Sequence, residues 1–569
     1  MTWEKPNEFV PERFIQNSID YKGHDFEFIP FGSGRRKCAG ISSAITSLEL
    51  ALANVLYWFD WKLPDGSVLD VEEENGLTVC KKNHLRLKPL FRAKRVNLPP
   101  SPPKLPIIGN LHQLGRYPHR SLQALSKKYG SLMFLRLGFT PTLVVSSAEM
   151  VKEIFKNHDI TFSNRPKSTA ANLFFYGYKD VGFSPYGEYW RGLKKICTLE
   201  LLSQKRVHEF QYVREEEVEI LGNKVHKARS AGLSVNLSDL ITSTSNNIVS
   251  RCIFGEKFED ENGKSRFGEL TRKMAKLVVA FSVGDFFPGF GWVDNITGLI
   301  GKLKETSGAL DTFLEQLIAE HKTKKKDDFQ GDREDFVDIL LHVQQKDDLG
   351  FEFTQDSLKS VLEDMFIAGT DTTSSVLEWT IAELARNPSM MEKAQEEVRR
   401  VVGKKSKIDD NDIIRMEYLK CVIKESLRVH PPAPLLLPRE TSEMVKLGGY
   451  CIPSKTRVFF NVWAIQKDPK IWENPEDFIP ERFMNNPVDL KGQECHCLPF
   501  GAGRRICPGM NFAFATIEYV LANLLRWFDW KLDDENMMAK DMDMTEDMGI
   551  ALLKIIEDIR SLSSRIARN

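Results

Sequence analysis

No stretch of these 569 residues is apolar for long enough to cross a bilayer, since a run of about 18 consecutive apolar residues is absent. The first residues, MTWEKPNEFVPERF, lack the basic and apolar regions of a signal peptide. Net charge is nearly absent too: 78 Lys and Arg against 79 Asp and Glu leave −1, without the broad basic footprint of a nucleic-acid binder. The nine cysteines are odd in number and scattered, so they read as reduced thiols rather than a secreted disulfide framework. Neither a glycine-rich βαβ fingerprint nor a phosphate loop is found, which argues against directly bound NADPH or flavin. What remains, 42% hydrophobic and 28% charged, is the composition of an ordinary folded protein.

The chain contains one internal repeat. Trp3–Leu63 aligns without a gap onto Trp472–Leu532, and 32 of the 61 positions are identical, including PERF and WFDWKL. Two copies this far apart do not make a solenoid. They read as the tail of one protein placed before a nearly complete relative. Gly76–Leu90 reads as closing strands and turns, followed by a basic patch, FRAKR, and the proline-rich LPPSPPKLPIIGN at Leu98–Asn110. The expected organisation is therefore a partial fragment at 1–92, a hinge at 93–110 and a catalytic body at 111–569, altered after about 553. The body reads as mostly helical, with short strands at Ser131–Leu137 and Leu143–Ser146. Charge-dense loops are expected at His321–Glu334, Gly403–Asp412 and Asp533–Asp547.

The strongest chemical signal is Phe500-Gly-Ala-Gly-Arg-Arg-Ile-Cys507-Pro-Gly509, ahead of an apolar helical stretch, Phe512–Phe528. Its glycines allow a tight turn. A thiol just before a helix start, with arginines nearby, is favoured as thiolate, the axial ligand that a haem iron or soft metal takes. Taken alone, Cys507 reads equally well as a buried structural cysteine. Glu425-Ser-Leu-Arg428 places a carboxylate and a guanidinium on one helix face, ended by His430-Pro431. Arg482 in PERF is a third charge, 25 residues before the cysteine. Ala368-Gly-Thr-Asp-Thr-Thr373 interrupts the helical period of Leu358–Leu384 with poor helix formers, glycine alone costing up to about 1 kcal/mol. The Thr372 hydroxyl is positioned to capture the Ala368 carbonyl and open the helix locally. A local rule broken inside an element marks a candidate site, with a tolerated polar kink as the plain alternative.

Taken together, the proline hinge, Tyr186-Gly-Glu-Tyr-Trp190-Arg, AGTDTT, ESLR, PRE (Pro438–Glu440), PERF and FGAGRRICPG resemble the plant microsomal cytochrome P-450 haem-thiolate monooxygenases over about Leu98–Leu553. The resemblance implies a mainly α fold with small β-sheets (α+β) and a haem b (iron protoporphyrin IX) cofactor. It makes Cys507 the iron ligand, with Phe500 and Gly509 in the same loop as cofactor-binding residues. Glu425, Arg428 and Arg482 become a structural charge triad, and Trp190, Arg439 and Arg505 hold the haem propionates. The family has arginine where this chain has Lys194, so a weaker propionate contact is expected. Asp371 and Thr372 fall where the family delivers protons to oxygen. The implied reaction inserts one atom of O2 into a lipophilic small molecule, using electrons from an NADPH-cytochrome P-450 reductase that meets basic residues such as Arg504. The implied location is the cytosolic face of the endoplasmic reticulum. Asn172–Phe183, Ala433–Leu437 and Gly549–Leu552 are the expected pocket segments, and Phe281–Trp292 either touches a bilayer, lines an access channel or packs in the core.

Cys495-His496-Cys497 invites a zinc reading. The first copy carries Phe26, Glu27 and Phe28 there, and the alternation reads as a strand in both copies. Cys38 lies in a complete second loop, FGSGRRKCAG, but with no helix of its own to form a pocket, so it is expected to be an unused ligand. After Gly549-Ile-Ala-Leu-Leu the chain reads as a charged helix where relatives close a sheet. Two other readings stay open: a haem-thiolate isomerase or dehydratase, and a non-catalytic or poorly folding fusion product.

Overall fold

The computed structural model describes residues 3–15, 19–64, 69, 71–76, 78–91, 97–232, 235–258, 266–324, 333–346, 349–484, 488, 490, 492, 494–532, 544–548, 551–554 and 559–562. The chain divides into two compact units, Met1–Val96 and Asn97–Asn569.

The first unit contains helix α1 (Ile41–Trp58) and strands β1 (Phe59–Lys62), β2 (Glu73–Glu74), β3 (Cys80–Lys81) and β4 (Lys88–Phe91). β1 pairs antiparallel with β4, Phe59 opposite Phe91, and β2 pairs with β3. None of its described residues is buried. Leu48, Leu52, Val55 and Leu56 of α1 are all exposed. The repeated segment nevertheless keeps its local geometry. Cys38 N–H donates to the Phe31 carbonyl at 3.0 Å, as Cys507 N–H does to Phe500 at 3.0 Å. The Trp61 indole reaches the Val55 carbonyl as the Trp530 indole reaches that of Leu524, both at 3.1 Å.

In the second unit the labelled helices are α2 (Pro118–Tyr129), α3 (Glu188–Ile196), α4 (Gln211–Ser230), α5 (Leu237–Phe254), α6 (Leu299–Lys324), α7 (Gln355–Arg386), α8 (Pro388–Val402), α9 (Glu417–Val429) and α10 (Met510–Trp527). Strands β5 (Leu132–Leu137), β6 (Thr140–Val145), β7 (Arg439–Glu440) and β10 (Arg457–Phe460) form a sheet in the order β5-β6-β10-β7, with β6 and β10 parallel. β8 (Val445–Leu447) and β9 (Tyr450–Ile452) make a hairpin. β11 (Asp529–Leu532) pairs with β14 (Ile559–Leu562), and β12 (Glu546–Met548) pairs with β13 (Leu552–Lys554).

α7 is the central element, packed on α5, α9 and α10. A Thr354–Ser357 capping box starts it, satisfying two backbone donors reciprocally. Leu358, Val361, Leu362, Phe366, Val376, Leu377 and Trp379 are buried along it, as their helical spacing predicts. The expected interruption at Ala368–Thr373 takes a milder form. The Thr372 hydroxyl bonds the Ala368 carbonyl at 2.5 Å, yet the helix continues unbroken, because neighbours on several sides hold it.

Three local expectations are corrected. The segment after residue 553 is not helical where it is described: Ile559–Leu562 is a strand, completing a ladder with β11. Alternating Ile and Leu within a charged run serve a strand as well as a helix, and the partner strand decides. Cys495–Cys497 is not a strand, since Cys495 adopts φ +58°, although burial still alternates, with His496 more accessible than the cysteines beside it. His321 is not in a solvated loop. It ends α6 as a buried ring, bonded to Asp335 at 2.8 Å and to the Leu317 carbonyl. Residues 325–332 and 533–543 of the expected loops lie outside the described residues.

Candidate functional site

The cysteine loop is built by two left-handed glycines, Gly501 (φ +70°) and Gly503 (φ +67°). A Cβ on Gly503 would strike Asp159 and Phe155, so that position demands glycine for space as well as for conformation. The Arg504 amide then donates to Asp159 Oδ2 at 3.1 Å. The loop delivers Cys507 just before α10, whose N-cap is Gly509. Cys507 is partly accessible. Burial pushes its thiol up, while the Gly509 backbone N–H and Lys194 act in the opposite direction. Phe500 is partly buried against the main core, its ring 5.4 Å from that of Phe514.

Lys194, expected among the propionate contacts, donates to the carbonyls of Arg504 and Ile506 instead, the latter at 2.9 Å. Burial lowers it to about 8, with Cys507 opposing that shift. A lysine ammonium has three rotatable donors and no planar fork, so adjacent carbonyls suit it.

Around this loop lies a group of buried cations. Arg505 donates to the carbonyls of Ser163, Val181 and Ser184, and its guanidinium stacks on the Trp190 ring at 4.1 Å. The Trp190 indole is itself bonded to the Val181 carbonyl. Arg439 donates to the Ala502 carbonyl at 2.7 Å and lies 3.7 Å from Asp159. Arg165, which the sequence reading passed over, donates to the carbonyls of Gly182, Leu437 and Pro438. Burial and the neighbouring Arg439 lower Arg505 to about 9, burial lowers Arg439 to about 10, and Arg165 lies well below the ordinary value. Among the described residues neither Arg505 nor Arg165 has a carboxylate at ion-pair distance. A buried cation without a counter-ion is costly, so this cluster is suited to an anionic ligand. The only cue to Arg165 was a charge set among Phe162, Ser163 and Pro166, too common a pattern to single out.

The charge triad is assembled with complete hydrogen bonding. Arg428 grips Glu425 with both prongs, at 2.7 and 2.8 Å, and Arg482 adds a bond at 3.0 Å. The Ile479 N–H donates to the same carboxylate at 2.8 Å. Arg428 also donates to the carbonyls of Gln466, Pro475 and Asp477, so a fully buried charge is satisfied in every direction. Among the described residues Arg13, the counterpart of Arg482 in the first unit, hydrogen-bonds carbonyls alone, those of Glu4, Lys5, Glu8 and Val10.

α7 carries the second half of the site. Although it is buried along most of its length, Asp364, Met365, Ala368, Gly369, Asp371 and Thr372 are accessible, and their spacing places them along one side of the helix. An accessible strip inside a buried helix marks internal space, and Cys507 shows the same combination of depth and accessibility. Burial raises Asp371 to about 6, against the pull of Arg272. Asp364, two turns before Asp371, accepts the Val181 and Gly182 amides at 2.6 and 3.3 Å and so ties α7 to one expected pocket segment. Tyr176 and Tyr178 in that segment, and Leu436 in Ala433–Leu437, adopt positive φ (47°, 70° and 52°), strain of the kind that collects at binding sites. Gly549 and Ile550 of the third pocket segment lie outside the described residues.

Phe281, Phe290 and Trp292 are exposed, whereas Phe287 packs on Phe139 and Phe286 lies under Arg457, so the aromatic stretch divides between surface and core. Arg504 is half-exposed and 3.5 Å from Asp159. Among the described residues no group of histidines, cysteines and carboxylates is arranged to hold a metal ion, Cys495–Cys497 included, and no helix is long and apolar enough to cross a membrane.

The residues at hand fit a haem: a lone cysteine at a helix start, a buried cation cluster short of anions, and internal space along α7. Comparison with known proteins agrees. The family model Cytochrome P450 matches residues 1–88 and 99–555. Phenylacetaldehyde oxime monooxygenase CYP71AN24 of Prunus mume is 52% identical over 469 residues, covering 82% of this chain and 89% of that protein. Cytochrome P450 71A1 of Persea americana is 51% identical over 447 residues, covering 78% and 89%. Among solved structures, a zebrafish cytochrome P450 with progesterone superposes with a TM-score of 0.67 at 28% identity, covering 79% of this chain and 99% of that one.

Proposed function

The chain belongs to the cytochrome P450 family, and from that premise we propose how its second unit works as a haem-thiolate monooxygenase on a lipophilic plant metabolite. One observation carries the reading: the helix whose accessible strip bears Asp371 and Thr372 packs on the helix that Cys507 precedes. When bound, haem b supplies the iron at which O2 is activated, and the thiolate favours O–O cleavage. Overall, one oxygen atom enters the substrate and the other leaves as water, consuming an electron pair and two protons.

This chain's own residues do the rest. Cys507 would supply the sulfur that holds the iron, and the Gly509 N–H and Lys194 favour its anionic form against the effect of burial. Arg439 and Arg505 would offer guanidinium charge to the haem propionates, with Trp190 as the stacking surface that holds Arg505 in place. Glu425, Arg428 and Arg482 fix α9 to the PERF turn. Asp371, raised to about 6 by burial, titrates close to neutral pH and so can take up and release a proton at its carboxyl. The Thr372 hydroxyl, its own proton donated to Ala368, presents an oxygen lone pair to a water. That Asp–Thr pair favours oxygen activation over isomerase chemistry.

Electrons come from an NADPH-cytochrome P-450 reductase meeting the face that bears Arg504. The protein works at the cytosolic face of the endoplasmic reticulum, with exposed Phe281, Phe290 and Trp292 as a peripheral contact. Residues 1–92 are a partial C-terminal fragment of a second, related unit, with an unused ligand, Cys38. The deciding test is the reduced carbon-monoxide spectrum of the full chain, followed by NADPH-dependent turnover with reductase, phenylacetaldehyde oxime serving as first substrate. A band at the position that thiolate ligation gives, with product formed, supports the reading; a nitrogen-ligated or colourless preparation refutes it.

A further inference from the structure

Glu546 opens strand β12 and is buried, at 3% exposure. Three groups, from the first turn of α2 and its N-cap, converge on it. The Tyr117 hydroxyl donates to its backbone carbonyl at 2.9 Å. The Arg120 guanidinium donates to Oε1 at 2.8 Å. His119 Nε2 stands 3.4 Å from Oε2, and apart from this contact both atoms are buried without a hydrogen-bond partner. The clamp is itself braced. The His119 ring meets the edge of Trp463 at 4.9 Å, Arg120 lies 5.0 Å from the Trp463 ring and 5.5 Å from that of Tyr117, and Asn461 donates to the His119 carbonyl at 3.0 Å. β12 pairs with β13, Glu546 opposite Lys554, and β13 packs on α7, whose accessible strip carries Asp371 and Thr372.

We propose that Glu546, gripped by Tyr117, His119 and Arg120, is a positioning residue that holds the β12–β13 hairpin against α7 and thereby sets the width of the substrate space. Among the described residues three residue pairs form its ladder, and a two-stranded ribbon is marginal in water by itself, so the hairpin depends on its anchors: the contact of β13 with α7 and the grip on Glu546. A buried carboxylate that accepts from a guanidinium and presents its second oxygen to a histidine fixes both position and rotation of the strand that bears it. The repeat supplies an internal comparison. Aligning Gly76 with Gly549 puts Glu73 in the place of Glu546, and there the residue sits on a still shorter ribbon, β2–β3, exposed and, among the described residues, without an α2 counterpart in its unit. The carboxylate is thus present in both copies, and the clamp in only one.

The statement about substrate width rests on the monooxygenase reading; the statement about the hairpin does not, and the experiment separates them. In the haem-loaded full chain, hydrogen exchange is measured at the amides of Glu546–Met548 and Leu552–Lys554 for Glu546→Ala, for Arg120→Ala and for the double variant. Arg120 is half-exposed, so its removal leaves the core intact. Exchange in the hairpin is expected to quicken about tenfold in each single variant while α7 changes less than about twofold. The double variant is expected to be no faster than the faster single one, and Arg120→Lys to restore slow exchange. Spectral titration with clotrimazole and with n-octylamine then reads the pocket: the bulky azole's Kd shifts by about fivefold and the slender amine's by less than about twofold. Unchanged hairpin exchange in Arg120→Ala, or additive effects in the double variant, overturns the clamp. A loosened hairpin with both ligands unaffected overturns its role in pocket width. Failure of the unaltered protein to bind either ligand overturns the haem reading and the pocket-width role together, and leaves hairpin exchange to decide the clamp by itself.

Discussion

Replacing Glu425 by alanine is the sharpest test of what holds the catalytic unit together. The carboxylate accepts four hydrogen bonds, two from Arg428 and one each from Arg482 and the Ile479 amide. Both Glu425 and Arg428 are fully buried. Removing one member of a buried pair leaves the other charge uncompensated, at about 3–5 kcal/mol. The unpaired Ile479 amide adds about 1 kcal/mol. Arg482→Ala is different: its side chain reaches the surface and most of its bonds go to exposed carbonyls, so it loses one charge-assisted bond worth about 1.5–3 kcal/mol while the Arg428 grip survives. Domain stabilities are about 5–15 kcal/mol, so Glu425→Ala uses a large part of the total and Arg482→Ala a modest part. Urea unfolding followed by circular dichroism, with the thiolate band as a second probe, is expected to show Glu425→Ala costing at least about twice as much as Arg482→Ala. Arg13→Ala, where the guanidinium meets backbone carbonyls and the Trp3 ring and no buried carboxylate, leaves the catalytic unit unchanged. Equal costs for Glu425→Ala and Arg482→Ala would refute the view that the buried fork is the anchor.

Cys507→Ala abolishes the thiolate-haem spectrum and Cys38→Ala leaves it intact; the reverse result reassigns the ligand. Thr372→Ala keeps haem but diverts electrons to peroxide, read as hydrogen peroxide formed per NADPH consumed, and full coupling to product would defeat its proton-handling role. Asp371, raised to about 6 by burial, holds a proton in the folded state that the unfolded chain releases between about pH 4 and 6. Its contribution to stability therefore falls as pH rises through that window, and Asp371→Asn flattens the stability profile there and removes an inflection near pH 6 from turnover. Deleting residues 1–92 leaves haem retention and thermal midpoint unchanged, because β11 already pairs with β14 and the catalytic unit lacks no closing strand. A lowered midpoint would show that the first copy braces the second.

Sequence alone determined what depends on local chemistry and spacing. The two glycines of the cysteine loop are required by backbone conformation, the helix of Gln355–Arg386 by its apolar period, and the Glu425–Arg428 pair by one helical turn, so each is written within a few residues of itself. The repeat, too, shows that local geometry travels with its sequence: the Cys38 loop keeps the amide–carbonyl bond of the Cys507 loop although the residues around it are exposed. Tertiary structure alone decided what depends on partners far along the chain. Arg165 joins the cation cluster because the carbonyls of Leu437 and Pro438, just before β7, and of Gly182, before α3, accept from it, Lys194 turns to carbonyls because the cysteine loop lies within its reach, and Ile559–Leu562 becomes a strand because it pairs with Asp529–Leu532. Glu546 and Glu73 are the same residue in the same local pattern, one buried in a clamp and one in water. Hydrogen bonds across more than 400 residues of chain separate the two, and no local pattern encodes them.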